Sequence, residues 1–134
     1  MGRGTSGYPM SVPGKDSRKE LGRRGERQAE AFLTMQNYRI VHRNWKCRTG
    51  ELDIVAWDGT VLVFVEVRTR RMTGTFGSPQ ESVNARKQKQ VRDTAQVYLH
   101  IHQLNEASVR FDVVSVYMDL QGRTKRLEHL RGAF

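Results

Sequence analysis

Apolar positions recur along the chain with two periods, and the change of period outlines the elements. Leu21, Ala29, Phe32 and Leu33 fall on one stripe of a 3.6-residue repeat, which predicts a helix over 17–36 with Ser17 as N-cap and Asn37 as stop. Shorter apolar runs follow and predict a strand over 38–46, centred on Ile40 and Val41, and strands over 51–57 and 60–68 joined by Asp58-Gly59, a strong hairpin signal. Residues 69–78 read as a polar, glycine-containing loop. A second helix is expected over 79–103, with Pro79 in its first turn, then a strand over 109–118 and a short one over 127–130. The order αβββαβ, with a further short strand, predicts an α/β domain: a mixed central sheet flanked by helices. Residues 1–17 lack periodicity and are rich in Gly, Ser and Pro. They are expected to be a disordered leader, partly vector-derived, ahead of a single domain over 18–134.

The hairpin gives the first chemical expectation. A turn centred on Asp58-Gly59 would pair Trp57 with Thr60, Asp53 with Phe64, and Glu51 with Glu66. Opposed residues share a face and side chains repeat every second position, so Glu51, Asp53, Glu66 and Arg68 project together. Asp53 and Glu66 become diagonal neighbours, about 7–8 Å apart at the backbone. Strand 60–68 is otherwise nearly all apolar, as for a strand covered on both faces. A lone Glu66 there would be costly to bury. Two explanations stand: a structural ion pair with Arg68 or a helix lysine, or a hard cation such as Mg²⁺, which prefers one or two carboxylates with water and phosphate. Glu26 lies near the apolar stripe of the first helix, and Lys87 and Gln88 lie near that of the second.

Charge changes the picture further. Over 134 residues, 23 Lys and Arg face 14 Asp and Glu, a net +9. The balance is +7 over 1–49, −2 over 50–82 and +4 over 83–134. A basic chain with an acidic centre fits a carboxylate site for a cation, flanked by surface that holds phosphates. Arg70 and Arg71, with Arg86, Lys87, Lys89 and Arg92 on the second helix, are the expected phosphate-backbone contacts; a merely solvated face is the plainer alternative. The lone Cys47 allows no internal disulfide, the four histidines lack zinc-site spacing, and the glycine loops match no nucleotide-binding pattern. Neither zinc nor a nucleotide cofactor is expected. No apolar run could span a bilayer, so a cytoplasmic protein without membrane partners is expected.

In order, GRRGERQAEAFL, RN, GELDIVAWDG, LVFVEVRTR, FGSP, ARKQ and RFDVVSV resemble the YraN-like bacterial family of predicted endonucleases, over about residues 20–118. The helix acid, D-x(12)-E-V-R and basic helix are similar to the PD-(D/E)XK nuclease core. The resemblance implies a restriction-endonuclease-like fold, related to Holliday-junction resolvases and tRNA-splicing endonucleases. It implies a Mg²⁺ or Mn²⁺ site made by Asp53, Glu66 and the main-chain carbonyl of Val67, with Glu26 as the first-helix acid. Gln88 and Lys87 would position the phosphate. DNA is favoured over RNA as substrate, structured or branched, and related resolvases imply a homodimer. The superfamily's lysine falls on Arg68, which stays charged and cannot act as a base. Two other readings therefore remain: a nucleic-acid-binding protein with this fold but little turnover, and a structural subunit of a larger complex.

Overall fold

A computed structural model describes residues 18–72 and 83–134. Two helices and five strands run in the order α1 (Arg18–Met35), β1 (Arg39–Cys47), β2 (Gly50–Asp58), β3 (Val61–Arg71), α2 (Ala85–Ile101), β4 (Ser108–Met118) and β5 (Thr124–Leu130). The strands form one sheet in sequence order. β3 and β4 are parallel and α2 lies between them in the chain; the other pairs are antiparallel. This is the mixed α/β sheet and αβββαβ order expected. The proposed leader and Pro79 lie outside the described residues.

Each helix seals one face of the sheet. Ala29 and Leu33 of α1 are buried with Ile54, Ala56, Val63, Val65, Val114 and Val116. Val91, Ala95 and Tyr98 of α2 are buried with Val55, Leu62 and Phe64. β3 is thus covered on both sides, as its apolar run requires. α1 ends where Asn37 turns left-handed at φ 70°. The Tyr38 N–H then bonds the Leu33 carbonyl and the Asn37 N–H that of Thr34, each at 3.0 Å. This Schellman closure is fixed by the packing of Tyr38 and Leu33 in the same core.

Three boundaries differ from expectation. α2 starts at Ala85 because Asn84 caps it, its side chain accepting the Lys87 N–H at 2.9 Å. β3 runs on to Arg71, since Thr69, Arg70 and Arg71 pair with Val116, Tyr117 and Met118 in place of entering a loop. The hairpin turn is Gly59-Thr60, with Asp58 opposite Val61. Only Gly59 takes positive φ there, at 60°, the pattern of a type II′ turn with glycine first. The register moves by two residues, which keeps the side chains of the paired segment on their expected faces. Trp57 now opposes Leu62, and Ile54 opposes Val65.

Candidate active site

The β2–β3 ladder runs from the turn to Ile54 and Val65, and at the next residue the strand pattern breaks. Leu52 and Ile54 should share a face, yet Leu52 packs in the α2-side core and Ile54 in the α1-side core. The cause lies on the neighbouring strand, where Asn44 adopts left-handed φ of 50° between Arg43, which faces Ile54, and Trp45, which faces Leu52. Asp53 sits at this irregularity. Its Oδ2 accepts the Val67 N–H at 2.9 Å, so a side chain engages the β3 backbone just past the ladder. Asp53 therefore lies beyond the paired segment, and the diagonal pairing with Glu66 expected from an unbroken ladder is not part of it. Breaks of this kind re-aim side chains and are frequent beside functional sites.

Glu66 is 2% exposed and, among the described residues, is with Asp112 one of two acids within the core. Lys87 Nζ of α2 approaches its Oε1 at 3.5 Å. Burial, then the charge of Asp53, pushes the Glu66 carboxyl above the usual carboxylate range despite that lysine. Burial likewise raises Asp53 against the opposing pull of the Val67 N–H. Glu26 of α1 is half-buried, and Asn44 Nδ2 donates to its Oε1 at 3.0 Å. Burial and the charges of Asp53 and Glu51 push its carboxyl up to about 7. The charge of Asp53 on β2 thus disfavours ionisation of both Glu26 on α1 and Glu66 on β3, while burial raises all three.

Among the described residues no group of three or more His, Cys, Asp and Glu side chains is placed to hold one metal ion. The donors that converge are two carboxylates, Asp53 and Glu66, beside the Val67 main chain. That set suits a hard cation that fills its other positions with water and phosphate oxygens, and does not suit Zn²⁺, which takes three or four protein ligands.

Two cavities open along α1 and share Glu26. One, of about 200 Å³, is lined by Arg23, Glu26, Arg27, Arg43, Asn44 and Asp53 among others. The other, of about 470 Å³, is lined by Arg18, Gly22, Glu26, Val67, Arg68 and Arg70 among others. Arg68 therefore reaches the site from β3, and Lys87 reaches it from α2. The remaining expected contacts are dispersed. Gln88 Nε2 donates to the Val83 carbonyl at 3.0 Å, tying the first turn of α2. Lys89 pairs with Asp93 at 2.7 Å. Arg92 lies over the rings of Phe134 and Phe111, at 5.4 and 6.0 Å. Arg71 donates to the carbonyls of Leu120 and Asp119, at 3.2 and 3.4 Å. Arg86 is exposed at the start of α2.

Sequence reasoning missed Asn44 and the arginines of α1. The available signal was the i,i+4 spacing of Arg23 and Arg27 around Glu26, which places all three toward one side of the helix. Asn44 gave no such signal, because its role depends on a backbone conformation.

A model of the Uncharacterised protein family UPF0102 matches residues 25–116. A UPF0102 protein of Moorella thermoacetica is 48% identical over 118 residues, covering 88% of this chain and 98% of that one. One of Pelotomaculum thermopropionicum is 49% identical, covering 89% and 98%. One of Geobacter sulfurreducens is 45% identical, covering 90% and 93%.

Proposed function

Because the chain belongs to the UPF0102 family, the YraN-like family its motifs resemble, and that family's description states no activity, its chemistry has to be read from the site, and we propose that it is a divalent-metal-dependent nuclease acting on DNA. The observation that carries this reading is the gathering of Asp53, Glu66 and Glu26 where β2 leaves β3, with ionisation disfavoured at all three. Uncompensated carboxylates in a cleft cost stability and are characteristic of sites that await a cation or move a proton.

Asp53, Glu66 and the Val67 carbonyl would hold Mg²⁺ or Mn²⁺, which supplies Lewis acidity and lowers the pKa of water. The chain's own residues do the rest. Asn44 holds Glu26 by Oε1, which leaves Oε2 free to take a proton from the attacking water. A carboxyl titrating near 7 is suited to that transfer at neutral pH. Arg68 remains charged throughout and stabilises the negative charge that develops on phosphorus. Lys87 can leave Glu66 for a phosphoryl oxygen, because its side chain is 35% exposed. It thereby supplies the ammonium that Arg68 cannot. Gln88 joins it only if its bond to Val83 opens.

The Lys87–Glu66 pair also favours a second reading, a nucleic-acid-binding protein without turnover, in which the lysine permanently neutralises the carboxylate. Cleavage of linear, flapped and four-way-junction DNA with Mg²⁺ or Mn²⁺ separates the two. Under the nuclease reading Asp53→Ala loses about 100-fold or more of the rate. Activity that survives Asp53→Ala removes the site as assigned; salt-sensitive binding with no cleavage in any metal selects the second reading.

A further inference from the structure

The first half of α1 carries more positive charge than the fold can use. Arg18, Lys19, Arg23, Arg24 and Arg27 stand against only Glu20 and Glu26 in ten residues. They occupy the end of the helix where the backbone dipole is itself positive, and Arg23 and Arg27 repel each other at i,i+4. Several arginines elsewhere are neutralised: Arg43 clasps Glu30, with Nε at 2.7 Å from Oε1, and Arg110 holds Asp112 and Asp58. Among the described residues Arg18, Arg23 and Arg27 make no hydrogen bond or ion pair. Arg23 reaches Glu26 only as a more distant charge.

These three line the two cavities that meet at Glu26. Arg23 and Arg27 stand at one end of the trough, and Arg18 stands at the other beside Arg68. At the helical rise, Arg18 and Arg27 are about 14 Å apart along the axis. That is about four nucleotide steps at the ~3.4 Å rise along one strand of a duplex, and fewer in an extended single strand. Glu26, common to both cavities, lies between the two cationic ends.

We propose that α1 is a phosphate track, on which Arg23 and Arg27 hold backbone phosphates on one side of Glu26 and Arg18 holds one on the other, so that a single polynucleotide strand runs through the site in place of ending in it. The proposal extends the nuclease reading by naming how the strand lies and which residues bear it. It does not require turnover, because phosphate contacts act in binding alone. They position the strand without reading its sequence.

The test is equilibrium binding of a fluorescent single-stranded DNA 20-mer to the full chain, followed across a salt series. In Arg23→Gln/Arg27→Gln the dissociation constant rises by about tenfold at low salt, and the slope of log K against log salt becomes shallower by about 1.4, about 0.7 for each phosphate released. Arg23→Lys/Arg27→Lys keeps the charge and stays close to wild type. Lys46→Gln/Lys125→Gln, at the two edge strands, removes the same charge away from the trough. Thermal unfolding of each variant identifies any loss due to misfolding. An unchanged slope in the Arg23/Arg27 variant overturns the track, and so does an equal change in the edge-strand control. Failure of the wild type to cleave removes the nuclease reading and leaves this measurement intact.

Discussion

Two groups of acids lie against the same sheet and behave in opposite ways. Asp112 on β4 is fully buried, yet its carboxyl is held down at about 2. Burial opposes this, and the hydrogen bonds outweigh it: His129 Nε2 at 2.8 Å, Arg110 Nε at 2.8 Å and Nη2 at 3.1 Å, the Gly132 N–H at 3.0 Å and the Tyr38 hydroxyl at 3.3 Å. Asp53, by contrast, has the Val67 N–H, Glu66 has one lysine at 3.5 Å, and Glu26 has Asn44. Both regions are buried and both are charged. What separates them is the number of donors aimed at each carboxylate. The Asp112 network ties β1, β4 and β5 together and has no capacity left for a ligand. The Asp53 cluster has a single protein partner for each carboxylate, which leaves acceptor positions for a ligand.

That contrast is most directly broken by mutation of Asp112. Asp112→Ala leaves Arg110 without its main partner beside the core and should cost about 3–5 kcal/mol, read by urea denaturation. A loss below 1 kcal/mol would mean that the network is decoration. pH sharpens the comparison next, because the two regions have opposite signs. Asp112 is depressed from 3.8 to about 2, so its contribution is complete above the ordinary value and is lost as pH falls toward 2. The loss should be about 2 kcal/mol, and absent in Asp112→Asn. Glu26 is raised from 4.5 to about 7, so its contribution is complete below 4.5 and is lost as pH rises through 7. Stability of Glu26→Gln measured from pH 5 to 8 should be flatter than wild type; parallel curves would show that Glu26 is not strained. The smallest expected effect has the most informative sign. Glu66→Gln should stabilise the metal-free protein at pH 8, by roughly 1 kcal/mol, because it removes a charge from the interior at the expense of a lysine that can reach water. Destabilisation would identify the Lys87 pair as structural.

Much of this was legible in the sequence where the information is local. The hairpin and the apolar stripe of α1 follow from periodicity, and a register error of two residues left the faces of the paired segment untouched; the face of Asp53 was not legible, because strict alternation fails there. The turn itself was ambiguous because Asp58-Gly59 and Gly59-Thr60 both offer glycine a positive φ. The start of α2 was misread because Pro79 and Asn84 are both good first-turn signals, and the Asn84 side chain closes the helix. Asn44 and the donors of Asp112 were not legible. Asn44 acts through a left-handed backbone in mid-strand, and of the donors to Asp112 only Arg110 is local, while Tyr38, His129 and Gly132 come from more distant points of the chain. The family motifs pointed to the acids; charge counting pointed to α2, where Arg92 lies over the rings of Phe111 and Phe134 and Arg86 is exposed.

Gly25, one residue before Glu26, lies so close to β3 that a Cβ there would fall 1.8 Å from Thr69 Oγ1. The helix backbone therefore rests against the strand that carries Glu66, three residues away. A contact between backbone and a short side chain has no slack, so it works as a mechanical stop that sets the gap between helix acid and strand acid. Any larger residue at position 25 becomes a wedge that widens the jaw carrying Glu26 while both cores remain filled. The reach of the site is thus gauged by the absence of a single methyl group.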